Sequence, residues 1–257
     1  MNADRTFWIG NTHVICEDYA IADAGLNLAY AIVSDGCSAS SEVDFGARAI
    51  AMSAKSVLRL GGHDSTPEKF GNDVITRARR IVEVFPYLSP QCLDATLLVA
   101  WVCENNLTAY LYGDGVFVHK SKKGVNTVHI HLTSGAPDYL SYHLDPLRRE
   151  SYDKMEDNKK EVWTSYNGIW DTKPFNPFIY NCPVEEGDVV AVISDGINSF
   201  RQQDNTPIDW QTLIGEFTGF KTTEGEFAAR RISAFKRKCL KEGMVHTDDI
   251  SVAAIVV

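Results

Sequence analysis

The chain has 257 residues, 44% of them hydrophobic and 23% charged, a balance that supports a sizeable buried core and carries no disorder signature. Its 25 Lys and Arg stand against 34 Asp and Glu, a net charge of −9, which argues against general nucleic-acid binding and leaves room for a cation site among ordinary surface acids. The opening MNADRTFWIGN lacks a basic stretch followed by an apolar run, no segment reaches membrane-spanning length, and the cysteines (Cys16, Cys37, Cys92, Cys103, Cys182, Cys239) form no C-x-x-C pair. The expectation is a cytoplasmic protein with free thiols and neither nucleic-acid nor membrane partners.

In chain order, residues 5–9 and 19–23 read as short strands, and LNLAYAIVSDG as a longer one ending at Gly36. Val43, Ala47, Ile50, Ala54 and Val57 recur at helical spacing, with Ser40 or Ser41 as cap and Gly61-Gly62 as stop. A second helix opens at Thr66-Pro67, carries Phe70, Val74, Ala78, Ile81 and Phe85 on one face, and halts at Pro86. The period then changes: residues 94–120 read as three strands with turns at Glu104–Asn106 and Gly113–Gly115, and TVHIHLTS as a fourth. Residues 137–177 are irregular, but Tyr139, Tyr142, Tyr152, Trp163, Tyr166, Trp170 and Phe175 point to an ordered insertion with a small core of its own. A strand over 188–196, helices near 207–218 and 224–241, and the terminal strand DDISVAAIVV follow. Strands and helix pairs without regular βαβ alternation imply an α+β fold, a four-layer α/β/β/α sandwich with two mostly antiparallel central sheets flanked by helix pairs.

The stretches AIVSDG (31–36) and AVISDG (191–196) end two distant strands in the same dipeptide. Asp-Gly is usually turn punctuation. Here, however, Glu17-Asp18, Asp35, Asp114, Asp195 and Asp248-Asp249 all lie at strand termini, where a buried strand delivers its end to one sheet edge. Acids meeting there repel unless protonated or neutralised by cations, and oxygen-only ligands suit Mg²⁺ or Mn²⁺. Glycine after the acid leaves a carbonyl free to turn towards an ion.

The ordered blocks ICEDYA, AIVSDGCSAS, DATLLVAWV, LTAYLYGDGVFV, DVVAVISDG and HTDDISVAAIVV resemble the protein phosphatase 2C family of metal-dependent Ser/Thr phosphatases in its compact bacterial form, over residues 10–257. The resemblance implies one such domain over 1–257, with 137–177 in the place of a flap. It implies two Mn²⁺ or Mg²⁺ ions, with Asp35 bridging both, the Gly36 carbonyl on the second, and Asp195 and Asp248 completing the first. Glu17 and Asp18 match the acidic pair that holds metal-bound waters, Asp114 matches an acid that helps hold a third metal, and Asp249 takes the family's Asn place. A hydroxide bridging the cations would attack the phosphorus of a phosphoserine or phosphothreonine in a protein, opposing a Ser/Thr kinase; no protein nucleophile is required.

Two departures stand out. His13 occupies the place of an Arg that grips the substrate phosphate, and lacks its bidentate fork, although a merely structural His is as good a reading. Cys37-Ser38-Ala39 follows Asp35-Gly36 where other members carry a His or glycines; Cys37 is either a redox-sensitive thiol near a helix start or, far more often for free cysteine, a small buried hydrophobe. His129 and His131 share a strand face without a third ligand in spacing, and Asn106-Leu107-Thr108 is a glycosylation triplet only in a secreted chain. Two competing functions stay open: a catalytically weak relative kept as a binding or regulatory module, favoured by His13, and a phosphatase of small phosphoesters.

Overall fold

The computed structural model describes residues 1–133, 135–155, 160–164, 168–171 and 177–257. In chain order the chain forms β1 (Asn2–Trp8), β2 (Tyr19–Ala24), β3 (Leu28–Ser34), α1 (Val43–Arg59) and α2 (Pro67–Val82). Next come β4 (Leu97–Cys103), β5 (Asn106–Tyr112), β6 (Gly115–Ser121), β7 (Gly124–Leu132), α3 (Pro146–Asp153), β8 (Lys160–Thr164), β9 (Gly168–Asp171) and β10 (Phe178–Pro183). The rest is β11 (Val189–Ile193), β12 (Phe200–Arg201), α4 (Trp210–Thr218), α5 (Phe227–Glu242), β13 (Val245–His246) and β14 (Ile250–Val256).

Two antiparallel sheets carry the fold, ordered β1-β14-β11-β6-β7-β8-β9 and β10-β5-β4-β3-β2, with β12 and β13 as a separate pair. Val33, Leu98, Ala100 and Leu111 of the second sheet interlock with Phe117, Val190, Val192, Ala253 and Ile255 of the first. The outer face of the second sheet is covered by α1 and α2, with Phe70, Trp101, Tyr110 and Tyr112 packed ring on ring. The outer face of the first is covered by α4 and α5, whose Phe217, Phe227 and Phe235 cluster with Phe200 of β12. The expected α/β/β/α layering is therefore observed. Strands such as β3 and β14 read as unbroken apolar runs because both of their faces are buried, by helices on one side and the opposing sheet on the other.

The local start signals fare differently. Thr66 caps α2 as expected, its hydroxyl accepting from the Lys69 N–H, with Pro67 in the first turn. Neither Ser40 nor Ser41 caps α1; Glu42 precedes it in a left-handed conformation, and Ser40 spends its hydroxyl on Asp94 at 3.0 Å. What locates α1 is packing: a Cβ on Gly46 would stand 1.6 Å from the Cys92 carbonyl oxygen, so the helix sits directly on the Pro90–Leu93 turn. The second helix ends at Val82, short of Pro86. The region 137–177 is more regular than its sequence indicates, holding α3 and the strands β8 and β9 that extend the larger sheet. Tyr166 and Phe175, and the side chains of Trp163 and Trp170, lie outside the described residues.

Candidate metal centre

The two Asp-Gly steps arrive from different walls. Asp35 follows β3 in the five-stranded sheet, and Asp195 follows β11 in the seven-stranded one, opening a short 3₁₀ turn over Asp195–Ser199. Their glycines are needed for close approach and not for an unusual dihedral, since neither adopts positive φ. A Cβ on Gly196 would lie 1.8 Å from the Asp249 carbonyl oxygen, and one on Gly36 would meet Val43 Cβ at 2.9 Å and the Glu17 carbonyl at 3.0 Å. Gly196→Ala is accordingly expected to lower the urea midpoint by an amount equivalent to about 3 kcal/mol or more, because main chain and not a flexible side chain must move; an unchanged midpoint would show that the turn yields.

Around these steps the carboxyls converge. Asp35 is within hydrogen-bond reach of both Asp18 and Asp195 and also feels Asp248. Burial, then the neighbouring Asp18 and Asp195, holds the Asp35 carboxyl well above the usual range. Burial pushes Asp18 up to about 7 against hydrogen bonds that favour its anion, the shortest being Ser194 Oγ to Oδ2 at 2.6 Å. Burial with Asp195 raises Asp248 to about 6, and burial with Asp195 and Asp248 raises Asp114. Five of the acids expected from the sequence thus share one electrostatic site. Glu17 stands at its margin, its carboxylate accepting from Ser38 Oγ at 2.6 Å.

Among the described residues no three His, Cys, Asp or Glu side chains are already closed around a common ligand point. The carboxyls approach in pairs instead, an arrangement that needs a proton or a cation between them. The donor set fits a hard divalent cation on two counts. Asp18 Oδ1 is buried without a hydrogen-bond partner. The main-chain bonds beside Gly36 run from Thr96 N to the Asp35 carbonyl and from Cys37 N to the Asp94 carbonyl, and neither uses the Gly36 carbonyl.

Several residues support the centre through contacts that the sequence does not reveal. Asp249 is buried, and its two oxygens accept from the main-chain N–H of Gly10 (2.7 Å) and of Glu17 (2.6 Å), tying the 10–17 loop to the start of β14. Those partners lie 239 and 232 positions away, beyond the reach of any local motif. Thr96 Oγ1 accepts from the Asp35 N–H at 3.2 Å, fixing the turn after β3. Asp94 gathers Ser40, Ser141 (2.6 Å) and Arg148 (2.7 Å), which fastens the 137–155 segment beside the site. From that segment the buried Tyr139 reaches Cys37 with its hydroxyl, and burial raises its pKa.

The departures take shape as well. His13 places Nε2 3.6 Å from Asp248 Oδ1 and Nδ1 3.0 Å from Asp249 Oδ2, the second contact out of line for a hydrogen bond. Burial lowers its pKa, but Asp249, Asp248 and Glu17 outweigh that and leave it raised. Cys37 is not at a helix start; it lies six positions before Val43, in the turn after β3. His129 is buried, with Nε2 3.2 Å from Asn198 Nδ2 and its ring beside Trp210, and burial lowers its pKa to about 4. His131, on the same strand, is exposed.

A family model described as Protein phosphatase 2C matches residues 11–235. No curated protein matches. Among solved structures, the PPM Ser-Thr phosphatase MsPP from Mycobacterium smegmatis, in complex with cacodylate, is similar with 13% identity and a TM-score of 0.56 over 100% of this chain and 98% of its own. The S. agalactiae serine/threonine phosphatase is similar with 16% identity and a TM-score of 0.52, covering 99% of this chain and 98% of its own. The catalytic domain of the serine/threonine phosphatase PstP, in complex with 2 manganese ions, shows 15% identity and a TM-score of 0.50 over 99% of this chain and 97% of its own. At these identities the likeness is one of fold, and the fold is that of the PPM Ser/Thr phosphatases. The chain belongs to the protein phosphatase 2C family.

Proposed function

We propose that the chain, as one phosphatase unit over 1–257 with 137–177 beside the site as its flap, is a Mn²⁺- or Mg²⁺-dependent phosphatase of phosphoserine and phosphothreonine in proteins. The observation that carries this reading is the meeting of Asp18, Asp35, Asp114, Asp195 and Asp248 at the edge between the two sheets, where burial and neighbouring acids raise the pKa of Asp18, Asp35, Asp114 and Asp248. Asp35, the Gly36 carbonyl, Asp195 and Asp248 would hold two cations; Glu17 and Asp18 would orient the water around them, and Asp114 would serve a third. When bound, such cations activate water for in-line attack on phosphorus and neutralise charge on the departing alkoxide. The chain's own part is to keep the acids fixed: Ser194 orients Asp18, Thr96 fixes the Asp35 turn, and Asp249 anchors the loop bearing Glu17 and Asp18. A Ser/Thr kinase would supply the phosphoprotein substrate.

The deciding assay is hydrolysis of p-nitrophenyl phosphate and of a phosphopeptide with Mn²⁺ and with EDTA. Metal-dependent turnover of both supports the reading. Turnover of the small ester alone assigns small phosphoesters as substrates, and none with any metal assigns a binding or regulatory module. His13 faces Asp248 and Asp249, so in this reading it positions a ligand carboxylate, in place of the phosphate grip that the family's Arg implies. His13→Gln is expected to weaken Mn²⁺ binding about tenfold by calorimetry while leaving KM for phosphopeptide at saturating Mn²⁺ within about twofold. A raised KM with intact Mn²⁺ affinity would return His13 to the phosphate.

A further inference from the structure

The outer face of α5 carries a charge opposite to that of the whole molecule. Residues 219–241 hold seven Lys or Arg against two Glu in a chain of net charge −9. The apolar stripe Phe227, Ile232, Phe235 and Cys239 faces the sheet, which turns much of this basic set outward. Between α5 and the segment before it lies a cavity of about 320 Å³, lined chiefly by Lys221, Thr222, Phe227, Arg230, Arg231 and Arg237.

Two of its guanidinium groups are held from behind. Arg230 Nη2 donates to Thr222 Oγ1 (2.9 Å) and to the Glu224 carbonyl (2.6 Å). Arg231 donates through Nε to the Glu216 carbonyl (2.9 Å) and through Nη2 to the Gly215 carbonyl (3.0 Å). The charge of Arg231 is met by the Glu216 carboxylate, which Lys238 shares at 2.7 Å. Among the described residues no carboxylate is ion-paired with Lys221, Arg230 or Arg237. A basic helix face in water ordinarily spreads its cations apart. Here main-chain carbonyls fix Arg230 and Arg231 beside the concavity that Lys221 and Arg237 also line.

We propose that this concavity binds an anion carrying a diphosphate group. Three unmatched positive charges exceed what one carboxylate neutralises and match a pyrophosphate of charge about −3, judged from the roughly −1.5 to −2 carried by a single phosphate monoester. The Arg230 guanidinium, held by Thr222 and the Glu224 carbonyl, suits phosphoryl oxygens, and the Phe227 ring supplies an apolar wall. The site is separate from the acids: α5 begins on Asp4, whose carboxylate accepts from Ala228 N at 2.7 Å, and Asp4 pairs with Ala254 towards the end of β14, whereas the acids stand before its start.

The test is isothermal titration of the full chain with inorganic pyrophosphate in EDTA at low ionic strength, which leaves the metal centre anionic and repulsive to the ligand. One saturable site is expected, weakened about tenfold or more by the double substitution Arg230→Ala/Arg237→Ala and by Lys221→Glu in the exposed loop, and unchanged by Asp195→Ala. The last comparison separates this site from the phosphatase reading. Tighter binding of adenosine diphosphate than of pyrophosphate assigns a nucleotide as the source of the group; equal or weaker binding assigns the inorganic anion. No saturable binding, or binding undiminished in both variants, overturns the proposal.

Discussion

Asp195→Ala is expected to lower the Mn²⁺-dependent kcat/KM for phosphopeptide by at least about a thousandfold, since in the proposed reading Asp195 would be one of the carboxylates that hold the cation. Asp195 stands where the charges of Asp35, Asp114 and Asp248 meet, and it contributes to the raised pKa of each. The same substitution is therefore expected to hold or raise the melting temperature of the EDTA-treated protein, because one of several mutually repelling carboxylates is gone. Loss of activity together with undiminished metal-free stability separates ligand loss from misfolding. Turnover within about tenfold of the unsubstituted chain would remove Asp195 from the centre.

The two Asp-Gly steps were legible because their chemistry is local: an apolar strand, an acid, and a residue small enough for the main chain of another segment to pass. Their placement on opposite sheets comes from the folded topology. The reason for glycine was not legible. Sequence offers dihedral freedom as the explanation, whereas Gly36 and Gly196 are demanded by Glu17, Val43 and Asp249, which approach from far along the chain. The α1 start shows the same limit. Ser40 and Ser41 carry the ordinary capping chemistry, but Asp94, 54 positions away, takes the Ser40 hydroxyl, and Gly46 seats the helix on the Pro90–Leu93 turn.

The 137–177 region was opaque for a different reason. Its aromatic content signalled order, but β8 gains its pairing from β7, an edge that only the folded sheet supplies, and β9 pairs in turn with β8. Strand β10 likewise alternates only between half-buried and exposed positions and is defined by pairing with β5. His13 was flagged as a departure from the family's Arg, yet its actual neighbours, Asp248 and Asp249, lie at the other end of the chain.

The cation's contribution to stability is expected to grow steeply with pH. Asp18 ionises near 7 in the folded, metal-free protein against an ordinary value of 3.8, so folding favours its protonated form. That stabilisation is fully present below about pH 4 and is lost as pH rises through 7; for a group 4% exposed it amounts to about 4 kcal/mol. Asp35, Asp114 and Asp248 shift in the same direction and add to the slope. His129 acts oppositely, its pKa lowered to about 4, so its contribution is present above 6.5 and is lost as pH falls through 4. With its value near 4, His129 stays neutral in the folded protein at both pH 5 and pH 8, and it leaves the difference between Mn²⁺ and EDTA unaffected. That difference in melting temperature should be small at pH 5, below the raised values of Asp18 and Asp248, and reach about 10 °C at pH 8, above them, where a cation relieves the repulsion of the carboxylates. A difference independent of pH would mean that the cation binds away from these carboxyls.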